Sequence, residues 1–473
     1  MSDDLIRLTA TEAVARLKRG EVSPLELIDA AEARIEAVDG PVNALPTRCF
    51  ERARAHARDL MAGRRREAEG EPGWLAGLPV AIKDLLLTKG WPTLRGSKTV
   101  DPKGPWNDYA PVVARLREAG AVLLGKTTTP EFGWKGVTDN PLTGITRNPW
   151  NPAKTPGGSS GGAAAALAAG IGPLTLGTDG GGSIRIPCAF SGVFGLKPSF
   201  GRVPAWPLSP FGSVAHLGPM TRSVHDAALL LNVLSQPDAR DWTALPYDPR
   251  DYRIGLDDGV RGLRIAYSAD LGGASVEPEV AALVEQAAMR FVELGALVEE
   301  ANPNFDGVGE VFRRHWFSGA AYVLKGFTPQ QKAVMDPGLV EVAEQGAKIG
   351  MLELLEAAQK RGAYGAQMNH FHEKYDLLLT PTLPLAAFDA GKEVADVMKE
   401  KRWTDWTPFS YPFNLTQQPA ASIPCGLTAD GLPVGLQIVG PRYQDALVLR
   451  AARAFESLQP IPMPDVSRLT PGG

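Results

Sequence analysis

The stretch from residue 155 to residue 204 most narrows what this chain can become. It opens with Thr155-Pro156-Gly157-Gly158-Ser159-Ser160-Gly161-Gly162 and passes through an alanine-rich run that reads as a helix over 162–169. It continues with Gly177-Thr178-Asp179-Gly180-Gly181-Gly182-Ser183-Ile184-Arg185-Ile186-Pro187. The 45 residues from Gly157 to Gly201 hold thirteen glycines, and residues without a Cβ let backbone come close to whatever is bound. Ser159 and Ser183 each sit in such a loop. The pattern suits a site where main-chain N–H groups face a substrate, a nucleophile beside an oxyanion hole.

The flanking sequence points to an α/β fold. Thr9-Ala10-Thr11-Glu12 and Ser23-Pro24-Leu25-Glu26 are capping boxes that open two helices, which Gly20 and Gly40 should stop. A third helix is expected over 46–62, followed by a polar connector from Gly63 to about Gly73 whose Arg64-Arg65-Arg66 should be solvated. Strands are expected over 78–83, 121–124, 174–177, 263–267, 297–299, 376–380, 421–424 and 434–439. Helices are expected over 112–119, 224–234, 278–294 and 445–458. This alternation favours a central sheet covered by helices. Residues 301–375 read as mainly helical, and 237–258 is the most linker-like interval.

Bulk properties exclude several classes. A net charge of −4 gives no reason to expect nucleic acid or an anionic membrane as partner, and no run approaches a membrane span. Cys49, Cys188 and Cys425 are far apart and lack metal-ligand spacing, which fits reduced thiols in a cytoplasmic protein. His370 and His372 point to different faces of a helix, so no metal site is expected. The N-terminus, Met1-Ser2-Asp3-Asp4, lacks the pattern of a secretory signal.

Two formal motif matches do not survive scrutiny. Gly120-Ala121-Val122-Leu123-Leu124-Gly125-Lys126-Thr127 fits the phosphate-loop spacing, but its middle residues want to be a strand. Gly157-Gly158-Ser159-Ser160-Gly161 fits the nucleophile elbow of α/β-hydrolases, but Asn148-Pro149-Trp150-Asn151-Pro152 is not the strand that motif needs before it. A third element is Lys83, at the end of Leu78-Pro79-Val80-Ala81-Ile82-Lys83. A lysine buried there would lose its charge, and a neutral amine can act as a general base without histidine.

Together these pieces resemble the amidase signature family, densest from Gly77 to Pro204 and again at Pro412-Phe413-Asn414 and Gly431-Leu432-Pro433-Val434-Gly435-Leu436-Gln437. The resemblance implies the amidase-signature fold, a mixed central sheet with helices on both faces in one large domain over 1–473. Its parts would be an N-terminal helical part (1–73), a catalytic core (74–235), a variable helical region beside the pocket (301–375) and a C-terminal part of the sheet (376–473). It implies Ser183 as nucleophile, Ser159 as a bridging serine after a cis Gly158–Ser159 peptide, and Lys83 as the base. Gly180, Gly181, Gly182 and Ser183 would supply the oxyanion hole, with Ser160, Asp179 and Arg185 in support. No cofactor and no metal are implied, and a homodimer is compatible with it. The chain departs from the family's usual residues at Gly180, Cys188 and Gln417.

The expected activity is hydrolysis of a small-molecule amide, with aryl amides, esters and carbamates in range. The alternative is the glutaminase subunit of a glutamine-dependent tRNA amidotransferase. That subunit usually carries Gln after the arginine of the nucleophile loop, and Ser-Leu-Asp-Gln-Ile-Gly-Pro further on. Here Ile186 and Ser213-Val214-Ala215-His216-Leu217-Gly218-Pro219 stand instead, which favours the stand-alone enzyme. The acyl pocket should draw on segments 134–140, 205–212 and 315–367, with Trp206, Phe211, Trp316, Phe317 and Tyr322 as candidate lining.

Overall fold

The computed structural model describes residues 2–63 and 73–469; the arginine triplet at 64–66 lies outside them. Among the described residues thirteen strands form: β1 (Thr47–Arg48), β2 (Pro79–Lys83), β3 (Val122–Thr127), β4 (Asp139–Asn140), β5 (Gly144–Ile145), β6 (Leu174–Asp179), β7 (Phe194–Lys197), β8 (His216–Thr221), β9 (Arg264–Tyr267), β10 (Leu297–Glu300), β11 (Leu377–Pro381), β12 (Ala420–Leu427) and β13 (Pro433–Val439). Eleven of them make one mixed sheet in the order β1-β3-β2-β6-β8-β7-β12-β13-β11-β9-β10, while β4 and β5 pair with each other. β2 runs parallel to both β3 and β6, whereas β8, β7, β12 and β13 are joined antiparallel.

The strands are apolar on both sides because helices cover both faces. Alternation sorts their residues. Val80, Ile82, Leu377, Leu379, Leu436 and Ile438 pack with the helices Val224–Leu234, Pro278–Glu293 and Asp445–Leu458. Ala81 faces the other way, onto Ala165 and Ala166 of the helix Gly161–Ala168. By the same period of two, Lys83 shares the face of Ala81 and arrives just ahead of that helix's first turn. Among the described residues no helix is long and apolar enough to cross a membrane.

Several local expectations change. The second capping-box helix does not stop at Gly40: it runs Pro24–Val42, past Pro41, and Asn43 at φ 55° caps it. The Asp39 carboxylate takes the amides of Ala44, at 2.7 Å, and Leu45, so the side chain, not the glycine, shapes the exit. The third helix starts at Phe50 because Thr47 and Arg48 pair with the edge of β3. The strands β7 and β8 and the short helix Arg185–Ser191 have no counterpart among the elements expected from the sequence. Gly218 and Pro219 give β8 a turn-like texture, which pairing on both sides overrides. The interval 237–258 is packed and is not a free linker: Tyr252 and Leu256 are buried, and the Tyr252 amide donates to the Asn232 side chain at 2.9 Å.

Candidate active site

The carboxyl ends of the neighbouring parallel strands β2 and β6 carry Lys83 and Thr178-Asp179, the edge of an α/β sheet where ligand sites gather. Lys83 is fully buried. Its Nζ lies 2.7 Å from Ser159 Oγ, 2.8 Å from Ser160 Oγ and 2.8 Å from Thr178 Oγ1. Burial pushes the amine well below the usual lysine range, with the Asp179 charge opposing. A neutral amine has two N–H donors and one lone pair, so with three hydroxyls around it one must donate to nitrogen. Ser160 Oγ already accepts from the Thr178 amide and points its proton to the Thr178 carbonyl, both at 3.3 Å. The Ser159 hydroxyl meets only Lys83 among the described residues and is free to be that donor.

The two serine loops are tied together. The Gly158–Ser159 peptide is cis, and the Ser160 amide donates to the Ser183 carbonyl at 3.2 Å. Ser159 and Ser183 both line one cavity of about 420 Å³. The loop that carries Ser183 is shaped by Asp179, whose carboxylate takes the Gly182 amide at 2.7 Å and the Ile184 amide at 3.2 Å. This bears on the expected oxyanion donors: the Gly182 N–H is already committed. The amides of Gly180, Gly181 and Ser183 meet no acceptor among the described residues and remain available. A Cβ at Gly182, which has φ 124°, would sit 2.5 Å from Ser410 Oγ, so no larger residue fits that bend.

Arg185 is locked beneath the loop. Its Nε and Nη2 each lie 3.0 Å from Asp179, both residues being fully buried. Nη1 reaches the Ser410 carbonyl at 2.8 Å and Gln437 Oε1 at 2.7 Å, while Nη2 donates to Asn414 Oδ1 at 2.6 Å. Asn414 Nδ2 returns to Asp179 Oδ1 at 2.8 Å, and Gln437 Nε2 donates to Thr380 Oγ1 at 2.9 Å. Although burial opposes it, the guanidinium holds the Asp179 carboxylate below its ordinary range. Asp179 and Arg185 are therefore both held in one buried network beneath the loop. Thr178, Asn414 and Gln437 join the site without having stood out by residue type, although the last two lie in the segments 412–414 and 431–437 that carry the resemblance.

The cavity floor is aromatic. Trp316 stacks on Phe211 at 3.8 Å and donates its indole N–H to the Trp134 carbonyl at 3.0 Å. A Cβ at Gly180 would meet the Trp316 ring at 2.7 Å, so the unusual glycine and this tryptophan occupy one volume between them. Trp206, Phe211, Trp316 and Tyr322 line the cavity and Phe317 does not: it is turned into the helical cluster with Ala320 and Val342. Segment 205–212 contributes, but segment 134–140 does not, since Trp134 and Val137 are buried in the core. Gln417 stands at φ 64°, where the family's usual glycine would rest without strain. Burial raises the Cys188 thiol well above its ordinary value, with the Asp179 charge adding to it, which makes it a poor nucleophile. Among the described residues no cluster of side chains could hold a metal ion.

The Amidase family model matches residues 26–449. The chain is 40% identical over 461 residues to an acylamidase of Rhodococcus erythropolis, covering 96% of each. It is 39% identical to a glutamyl-tRNA(Gln) amidotransferase subunit of Moorella thermoacetica, covering 96% of this chain and 97% of that one. Among solved structures, a bacterial aryl acylamidase of the amidase signature enzymes superposes with a TM-score of 0.87 at 33% identity, covering 96% of each chain. Sequence, fold and relatives converge: this chain is a hydrolase of amide bonds and belongs to the amidase signature family.

Proposed function

We propose that the protein hydrolyses a small-molecule amide, with aryl amides foremost and esters and carbamates in range, through an acyl-enzyme on Ser183. The observation that carries this reading is the buried, charge-depleted Lys83 in contact with Ser159. Ser159 gives its proton to the Lys83 lone pair and takes one from Ser183, whose oxygen attacks the carbonyl carbon. The amides of Gly180, Gly181 and Ser183 receive the oxyanion, each donor contributing roughly 2.7–4 kcal/mol. As the C–N bond breaks, the proton returns through Ser159 to the leaving nitrogen. Water then releases the acid from Ser183 by the same relay.

The tRNA amidotransferase subunit is the second reading, and identity alone does not separate it from the first. The cavity wall favours the stand-alone amidase. A glutamine ammonium needs a carboxylate partner. The one carboxylate on the wall among the described residues, Asp241, is committed to the amides of Ala205 and Thr243 at 2.8 Å each and to the Thr243 hydroxyl at 2.7 Å. Turnover of 4-nitroanilides, simple amides, carbamates and glutamine by the purified protein is the test. Anilides should be preferred; activity on glutamine alone, rising with added partner subunits, would reverse the assignment.

The lowered pKa of Lys83 gives the activity a direction with pH. The competent form is the neutral amine, so kcat/KM should rise as pH climbs through that pKa and level off above it. A profile flat from about pH 5 to 9 would argue against a lysine base.

A further inference from the structure

Two residues of the cavity wall stand in a backbone conformation that neither prefers. Arg95 has φ 58° and Phe132 has φ 52°, the left-handed region that is uncommon for residues bearing such side chains. They are coupled: the Phe132 amide donates to the Arg95 carbonyl at 2.8 Å, and the Arg95 amide donates to the Asp84 carbonyl at 3.1 Å. The Asp84 carboxylate takes the amide of Leu94 at 3.1 Å. The turn is thus built from the end of the strand that carries Lys83, and it places Arg95 on the cavity wall. Strain retained at a ligand-facing position points to a task beyond folding.

The guanidinium at that position feels the charge of Asp84 but does not reach it. Among the described residues it makes no ion pair and no side-chain hydrogen bond. The acidic groups of the turn, of the cavity wall and beside Phe132 are engaged elsewhere: Asp84 with the Leu94 amide, Asp241 as described, and Glu131 with the Ser97 hydroxyl and the Asp336 amide, each at 2.6 Å. Burial lowers the Arg95 pKa while the Asp84 charge opposes, and a guanidinium stays charged regardless. Leu85, Leu86, Phe132 and Phe327 line the same cavity. A part-buried cation in such surroundings is stabilised by an arriving anion.

We infer that Arg95 is a specificity residue that receives a carboxylate borne by the amine half of the substrate. The inference rests on the amide-hydrolysis reading above and names its substrate class: an aryl amide whose leaving amine is an aminobenzoate-like acid. The amine half is assigned by position. Gly133 follows Phe132, and a Cβ there would lie 3.5 Å from Ser159 Oγ. The Arg95–Phe132 wall therefore abuts the hydroxyl that returns the proton to the leaving nitrogen. The planar fork of arginine matches a carboxylate with two parallel hydrogen bonds, which lysine cannot reproduce.

Calorimetric binding to Ser183→Ala protein, with and without Arg95→Gln, tests this while the ligands stay intact. The probes are 4-acetamidobenzoate, its neutral isostere 4-nitroacetanilide, and succinyl-4-nitroanilide, which carries the acid on the acyl half. Arg95→Gln should weaken 4-acetamidobenzoate about tenfold or more, leave 4-nitroacetanilide within about twofold, and be only partly rescued by Arg95→Lys. Arg95→Gly, which suits φ 58°, should repeat the loss if glutamine disturbs the turn. Equal losses for the charged and neutral anilides, no binding of 4-acetamidobenzoate at all, or a loss confined to the succinyl compound would each overturn the inference. Turnover is not read, so a wild type inactive on every amide would defeat the activity reading without altering this result.

Discussion

Ser183→Ala should lower kcat/KM by about 10⁴-fold or more on whichever amide the wild type turns over best, with the fold intact. The side chain is small and nearly enclosed, and the loop that presents it is held by Asp179 through the Gly182 and Ile184 amides, so removing one oxygen leaves the scaffold undisturbed. What disappears is the atom that, in the proposed mechanism, forms the acyl bond. A fluorophosphonate should add its mass to Ser183 in the wild type and to nothing in the variant. Labelling of Ser159 instead, or a rate loss under about tenfold, would move the nucleophile to the other loop.

Arg185→Met should cost about 3–5 kcal/mol of folding stability, the largest stability effect expected of a single substitution in the site. The variant strands the Asp179 carboxylate without its bidentate partner and leaves Asn414 and Gln437 each without a charged donor. The dependence on pH identifies the cause. In the wild type Asp179 titrates below its ordinary value, so its contribution is present above about pH 3.9 and is lost only as pH falls further. Without Arg185 the burial that opposes ionisation wins and the pKa rises above the unfolded value. The penalty should therefore be larger at about pH 7 than at about pH 5, and Arg185→Met/Asp179→Leu should recover part of it. Urea unfolding at the two pH values measures this; a loss below about 1 kcal/mol, or one independent of pH, would mean the pair is dispensable.

The sequence discloses this site unevenly, and the reasons are physical. Lys83, Ser159 and Ser183 are legible because each lies in a segment whose chemistry is local: an apolar strand ending in a cation, and two glycine loops. Alternation along β2 even gives the face on which Lys83 emerges. Asn414 and Gln437 are not legible as parts of the site, because their task depends on pairing with Arg185, 229 and 252 residues away in the chain. The commitment of the Gly182 amide is hidden for a related reason, since a donor's availability depends on a carboxylate three residues earlier turning back onto it. Arg95 is invisible because a positive φ on arginine has no sequence signature. Phe317 and Trp316 are neighbours in sequence, yet only one reaches the cavity, which is a matter of helix rotation against Phe211.

The route by which Arg185 is anchored has a consequence for biosynthesis. Its partners arrive from β13 and from the segment around Asn414, near the end of the chain, and β13 also lies in the middle of the sheet between β12 and β11. A nascent polypeptide that has exposed Lys83 and both serines to the cell already carries Asp179, the counter-charge of Arg185, but still lacks the neutral acceptors that complete the hydrogen bonding of the buried guanidinium. Under the proposed mechanism, acyl transfer should therefore switch on only after nearly the whole chain has left the ribosome, and a truncated product ending before Gln437 should be an inert fragment rather than an unregulated hydrolase.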